Sequence, residues 1–121
     1  VSHRILIVDD EPNIVISLEY LMKKEGFQVA LATDGEAALQ QASAFAPDLI
    51  LLDIMMPKKS GFEVCQALRA DPALAAVKII MLTAKGRETE VAKGLALGAD
   101  AYITKPFSTK DLVAQIKSLL G

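Results

Sequence analysis

The chain has 121 residues, 52% hydrophobic and 23% charged, which suits one globular domain with its own core and excludes a disordered chain. A net charge of −2 leaves no basic excess to meet phosphates, so direct nucleic-acid binding by this domain is not expected. No apolar run is long enough to span a membrane, no signal-peptide core is present, and the lone Cys65 rules out an internal disulfide, so a cytoplasmic location is expected.

The first strand is expected over residues 4–9, with an unbroken apolar stretch at 5–8. It runs directly into Asp9, Asp10 and Glu11, and Pro12 closes the group. Two carboxylates about 4 Å apart repel by roughly 4 kcal/mol at an effective dielectric near 20, so this exit from a buried segment needs an offsetting partner. The helix that follows has Pro12 near its start, Ile14, Leu18, Leu21 and Met22 on one face, and Gly26 at its end. A second strand over 27–32 leads to a helix after Thr33, with Glu36 three residues on and Pro47 as its stop.

The third strand, 48–53, is again unbroken over 49–52, and its helix opens at Ser60 with Glu63 and ends before Asp71-Pro72. The fourth, 77–83, leads to a helix over 88–97 that Gly94 weakens and Gly98 ends. The fifth, 101–104, precedes a helix from Ser108 with Asp111 three residues on, burying Leu112, Ile116 and Leu119. Five βα units make one α/β domain over residues 1–121, a parallel sheet with helices on both faces. No GxGxxG follows the first strand, which disfavours a Rossmann order and leaves the flavodoxin-like doubly wound order 2-1-3-4-5.

In such a sheet the carboxyl ends of all strands share one edge. That edge collects Asp9 and Asp10 after the first strand, Asp53 after the third, Thr83 after the fourth and Lys105 after the fifth. Ligands of these folds bind in the crevice where neighbouring strands send their crossovers to opposite faces, here between strands one and three. Three carboxylates converging there with one lysine suit a hard divalent cation, Mg²⁺. Each residue has a plainer role available: a helix cap for Asp9 or Asp10, a turn for Asp53, a solvated loop for Lys105. Their coincidence at the ends of separate strands points to a site. Cys65 is expected in the core and His3 on the surface.

Four segments, "ILIVDDEP", "PDLILLDIMMPKKSGFE", "IIMLTAKG" and "GADAYITKPFS", in this order and spacing resemble the response regulator receiver domain of two-component signalling, over essentially the full chain. The resemblance implies the same strand order and a phosphoacceptor switch rather than an enzyme in the usual sense, one that assists its own phosphorylation and dephosphorylation. Asp53 matches the residue that takes a phosphoryl group from a phosphohistidine of a sensor histidine kinase or phosphotransfer protein. Asp9 and Asp10 match the acidic pair that holds Mg²⁺, with the backbone carbonyl of Met55 as a further ligand. Lys105 matches the lysine that pairs with phosphoryl oxygens, Thr83 and Tyr102 the switch residues, and Pro106 a proline whose preceding bond is cis.

Some positions depart from the family pattern. Lys59 stands where many receivers have an apolar residue, and Met55 and Lys85 occupy positions that flank the phosphoryl group and affect its lifetime. Receivers attached to winged-helix DNA-binding domains dimerise through salt bridges on the helix 4, strand 5 and helix 5 face. At matching positions this chain has Val91, Ala101 and Gln115, so only Asp100 and Asp111 keep the expected charge. A monomer, a weak dimer or a different dimer is therefore expected, with an output partner or domain that the sequence does not name.

Three other classes compete. A haloacid-dehalogenase-type phosphatase also uses Mg²⁺ and a phosphoaspartate, but it needs D-x-D after the first strand, where this chain has Asp9-Asp10-Glu11. A flavin carrier would want a Ser/Thr/Gly-rich phosphate loop there. A degenerate receiver used only as an interaction module would lack some of the site residues, and here every position is filled.

Overall fold

Unbroken apolar runs alternate with amphipathic ones, so each strand hands over to a helix that covers it. The computed structural model describes residues 3–56, 58–84 and 86–121, the side chain of Glu88 excepted. In chain order it contains β1 (Arg4–Val8), α1 (Pro12–Lys24), β2 (Gln28–Ala32), α2 (Gly35–Phe45) and β3 (Leu49–Asp53). There follow α3 (Gly61–Ala70), β4 (Lys78–Ala84), α4 (Glu88–Ala96), β5 (Ala101–Lys105) and α5 (Thr109–Leu120). All five strands are parallel, in the order β2-β1-β3-β4-β5, as expected from the sequence.

The central strands divide their side chains between two cores, because successive residues of a strand point to opposite faces. Leu6, Val8, Ile50, Leu52, Ile79 and Met81 pack with Ala38 and Ala42 of α2 and Val64, Cys65 and Leu68 of α3. Ile5, Ile7, Leu49, Leu51, Ile80 and Leu82 pack with Leu18 and Met22 of α1 and Leu112 and Ile116 of α5. Cys65 is buried and reduced, and burial pushes its thiol pKa up, as befits a core residue. Among the described residues, no helix is long and apolar enough to cross a membrane.

The helix starts largely follow the sequence. Ser60 and Glu63 form a reciprocal capping box on α3, and the Ser108 hydroxyl accepts from the Asp111 amide on α5. The expectation for α2 is corrected by one residue: its N-cap is Asp34, whose carboxylate accepts from the Ala37 amide at 2.8 Å, and not Thr33. Aspartate is the better cap because its charge also meets the helix N-terminus. Gly94, which weakened α4 on paper, is buried against β4. A Cβ there would lie 3.3 Å from Met81 Cε, so the glycine lets the helix sit close to the sheet.

Candidate functional site

Strand register assembles the site. Val8 pairs with Leu52, so Asp9 and Asp53 leave neighbouring strands side by side. Ala84 pairs with Lys105 at the ends of β4 and β5, which brings the lysine toward the same edge. Behind Asp53 the backbone is close-packed, because a Cβ at Gly61 would lie 2.4 Å from the Asp53 carbonyl oxygen. The start of α3 therefore braces the residue that the sequence singles out.

Asp9 is fully buried and Asp53 is 6% exposed, whereas Asp10 faces solvent at the rim. Carboxylate oxygens of all three lie within 4.8 Å of one another. Lys105 Nζ lies 2.8 Å from Asp9 Oδ2, 3.1 Å from Glu11 Oε1 and 3.5 Å from Asp53 Oδ1. Asp9 Oδ1 accepts from the Glu11 amide at 2.9 Å. Asp9 Oδ2 pairs electrostatically with the lysine, and among the described residues no hydrogen-bond donor is directed at this buried oxygen. Asp53 Oδ1 accepts only a long bond from the Met55 amide, at 3.4 Å.

The opening repulsion is thus only partly offset. Burial and then the neighbouring Asp9 charge push the Asp53 carboxyl up to about 7, against the pull of Lys105 and the Met55 amide. Burial works against the charge of Lys105, but pairing with Asp9, Asp53 and Glu11 outweighs it and raises its pKa. One ammonium serves three carboxylates. A cluster with a surplus of hard oxygen donors and an undirected buried oxygen fits a divalent cation.

The remaining expected residues surround this cluster. Thr83 is buried, and its hydroxyl donates weakly to its neighbour's carbonyl, that of Ala84, at 3.5 Å. Tyr102 is 44% exposed and turned into a surface groove shared with Leu95, Phe107 and Gln115. The Lys105–Pro106 bond is cis, as the sequence resemblance implies. Lys59 is half-buried, pressed against Gly35 of α2. Lys85 and Pro57 lie outside the described residues. Three charged residues that sequence reasoning did not assign also belong here: Glu11 on Lys105, and Arg87 and Glu90, which border the same small cavity as Asp53. Glu11 stood inside the acidic run, and Arg87 and Glu90 form an i, i+3 pair, a signal available from spacing alone.

A doubly wound sheet with a buried acid cluster and a lysine at its carboxyl edge is the arrangement that the receiver-domain resemblance implies. Residues 5–117 match the model of the response regulator receiver domain, and the chain belongs to that family. It is 47% identical over 119 residues to the alkaline phosphatase synthesis transcriptional regulatory protein PhoP of Bacillus subtilis, covering 98% of this chain and 49% of that protein. It is 45% identical over 117 residues to the DNA-binding response regulator MtrA of Mycolicibacterium smegmatis, covering 97% of this chain and 50% of that protein. The chain therefore spans about half the length of these curated relatives.

Among solved structures, the chemotaxis response regulator CheY4 of Vibrio cholerae superposes with a TM-score of 0.92 at 29% identity, covering 98% of this chain and 99% of that one. The signal receiver domain of a signal transduction histidine kinase from Syntrophus aciditrophicus gives 0.91 at 34% identity, covering 98% and 90%. The chain is a receiver domain of the two-component type, a signalling domain with a phosphoacceptor role. These matches lend no support to the phosphatase reading.

Proposed function

We propose that residues 1–121 form a single receiver domain in which Asp53 accepts a phosphoryl group from a phosphohistidine of a sensor kinase or phosphotransfer protein. The observation that carries this reading is the Asp53 carboxylate itself: buried at the end of β3, crowded by Asp9, and within 3.5 Å of one shared lysine. An Asp53 carboxylate oxygen attacks phosphorus, the P–N bond to the donor imidazole breaks, and the imidazole recovers a proton. Lys105 then meets the phosphoryl oxygens, and burial limits water at the acyl phosphate.

Asp9, Asp10 and Asp53, with the Met55 carbonyl, would hold Mg²⁺. The ion would gather phosphoryl oxygens and neutralise developing charge. The chain thereby assists its own phosphorylation and dephosphorylation. The product adds roughly one negative charge and new acceptor oxygens at Asp53. Thr83 and Tyr102 carry that change to the face formed by α4, β5 and α5, and so to an output partner or domain. The relatives named as transcriptional and DNA-binding regulators are twice as long, so contact with DNA falls to another part of such proteins and not to this acidic domain. A reducing, cytoplasmic setting suits the free buried thiol of Cys65.

Incubation with acetyl phosphate and Mg²⁺, followed by intact mass, tests the reading. One added phosphoryl group is expected on the wild-type chain and none on Asp53→Asn. Equal incorporation by both would move the acceptor elsewhere.

A further inference from the structure

The cavity beside Asp53 is also lined by a second charged pair. About 110 Å³ in volume, it is bordered by Asp53, Thr83 and Lys105 and also by Arg87 and Glu90. Arg87 is the N-cap residue of α4, yet its side chain caps nothing and its guanidinium pairs with Glu90 Oε1. Glu90 is more enclosed than its partner, 19% against 47% exposed, and its other oxygen, Oε2, is buried with no hydrogen-bond partner among the described residues. Glu90 thus borders the cavity into which a phosphoryl group on Asp53 would project, with one carboxylate oxygen shielded from solvent. Arg87 also borders the adjoining cleft that runs past Thr83 to Tyr102.

We propose that Arg87 is a second phosphoryl cation, held on Glu90 in the resting protein and transferred to the phosphoryl oxygens once Asp53 is modified. The inference rests on the reading of Asp53 as acceptor. A dianionic phosphoryl group competes well for a planar guanidinium, because two parallel N–H bonds match two of its oxygens, and Lys105 is already shared among three carboxylates. Glu90 opposes the same event, since its charge faces the incoming anion once Arg87 leaves. The pair therefore sets the threshold from both sides, and its exchange of partners occurs at the first turn of α4, on the output face.

The test uses the intact chain with Mg²⁺, titrated with beryllofluoride by calorimetry, together with decay of the acyl phosphate followed by intact mass. Decay is attack of water that breaks the P–O bond, releases inorganic phosphate and restores the Asp53 carboxylate. Arg87→Ala is expected to weaken beryllofluoride binding by about tenfold, the scale of one charge-assisted contact, and to shorten the acyl phosphate lifetime. Glu90→Gln keeps a side chain that suits the third helical position but removes its charge, and is expected to strengthen binding several-fold. Opposite signs are the signature, since a purely structural role in starting α4 would weaken both variants alike. Unchanged affinity in Arg87→Ala, or a shift of the same sign in both, overturns the proposal while leaving Asp53 as acceptor. Failure of the wild-type chain to take up either phosphoryl or beryllofluoride overturns both.

Discussion

Replacing Asp53 by asparagine changes stability as well as chemistry, and the sign follows from the site. The Asp53 carboxyl is pushed up to about 7 from an ordinary 3.8, by burial first and Asp9 second. The fold therefore favours the protonated form. Between pH 3.8 and about 7 the unfolded chain has lost this proton while the native chain retains it, so stability falls as pH rises through that window and levels off above it. At roughly 1.4 kcal/mol per unit, ionised Asp53 costs the metal-free native state up to about 4 kcal/mol above pH 7.

Asparagine has nearly the same shape and no charge to bury. In chelator at pH 8 Asp53→Asn should be more stable than wild type by about 2–4 kcal/mol, on the order of 10 °C in thermal midpoint for a domain of this size. The difference should shrink toward zero by pH 4, where the wild-type carboxyl is neutral too. Mg²⁺ should also narrow it at pH 8, because a cation that binds only the native acidic site stabilises the wild type by mass action. Thermal or urea denaturation across pH 4–8 reads all three trends. A variant no more stable at pH 8 than wild type, or one whose gain is the same at pH 4, refutes the argument that the fold strains this carboxylate.

Asp10→Asn should weaken Mg²⁺ affinity at least tenfold, since it takes one carboxylate from a cation that accepts few protein ligands, while leaving metal-free stability equal or slightly higher; titration calorimetry and a melt in chelator check both halves. Gly61→Ala should destabilise the chain by roughly 1–3 kcal/mol or more and slow phosphoryl uptake, because its Cβ would meet the Asp53 carbonyl at 2.4 Å, backbone that has no room to yield. The beryllofluoride-activated chain should sediment as a monomer at micromolar concentration, or dimerise on another face. Val91, Ala101 and Gln115 supply no charge there, and Asp100 is occupied within the chain by Arg69 Nη2 at 2.9 Å and the Ile79 amide at 2.8 Å. A symmetric dimer built on α4, β5 and α5 would contradict it.

The parts of this molecule legible in the sequence are those dictated by local periodicity and by sheet geometry. Unbroken runs such as 5–8 and 49–52 reveal strands covered on both faces, and parallel strands necessarily gather Asp9, Asp53, Thr83 and Lys105 at one edge. Competing local signals were harder to rank. Thr33 and Asp34 are both good caps, and only the backbone, extended at Asp34 with φ −150° and ψ 171°, decides between them. Gly94 looked like a flaw because its value lies in a neighbour, Met81, that is distant in sequence. Arg87 and Glu90 escaped notice for the same reason. A charge pair near the start of an amphipathic helix reads as a solvated first turn until the cavity beside β3 and β4 is known to lie under it.

The electrostatic frustration at the carboxyl edge is what makes a switch of this size workable. Swinging a two-state equilibrium from one part in a hundred to its inverse requires about 5.5 kcal/mol of differential interaction. Ionised Asp53 alone stores strain approaching that scale, and it does so beside a lysine divided among Asp9, Glu11 and Asp53 and a glutamate with one undirected oxygen. A fully satisfied site would have no such reserve, because a phosphoryl group would then have to break good contacts to make equivalent ones. In the proposed reading, charge added at Asp53 claims Lys105 and Arg87, and the carboxylates they leave must find new partners or move. Thr83, whose hydroxyl is committed only to a weak 3.5 Å bond, and the first turn of α4, whose N-cap Arg87 makes no side-chain cap and pairs with Glu90 instead, are the cheapest places for that movement to occur. In that reading the strain is central, the yielding elements lie toward the face of α4, β5 and α5, and the signal leaves the site through its weakest contacts.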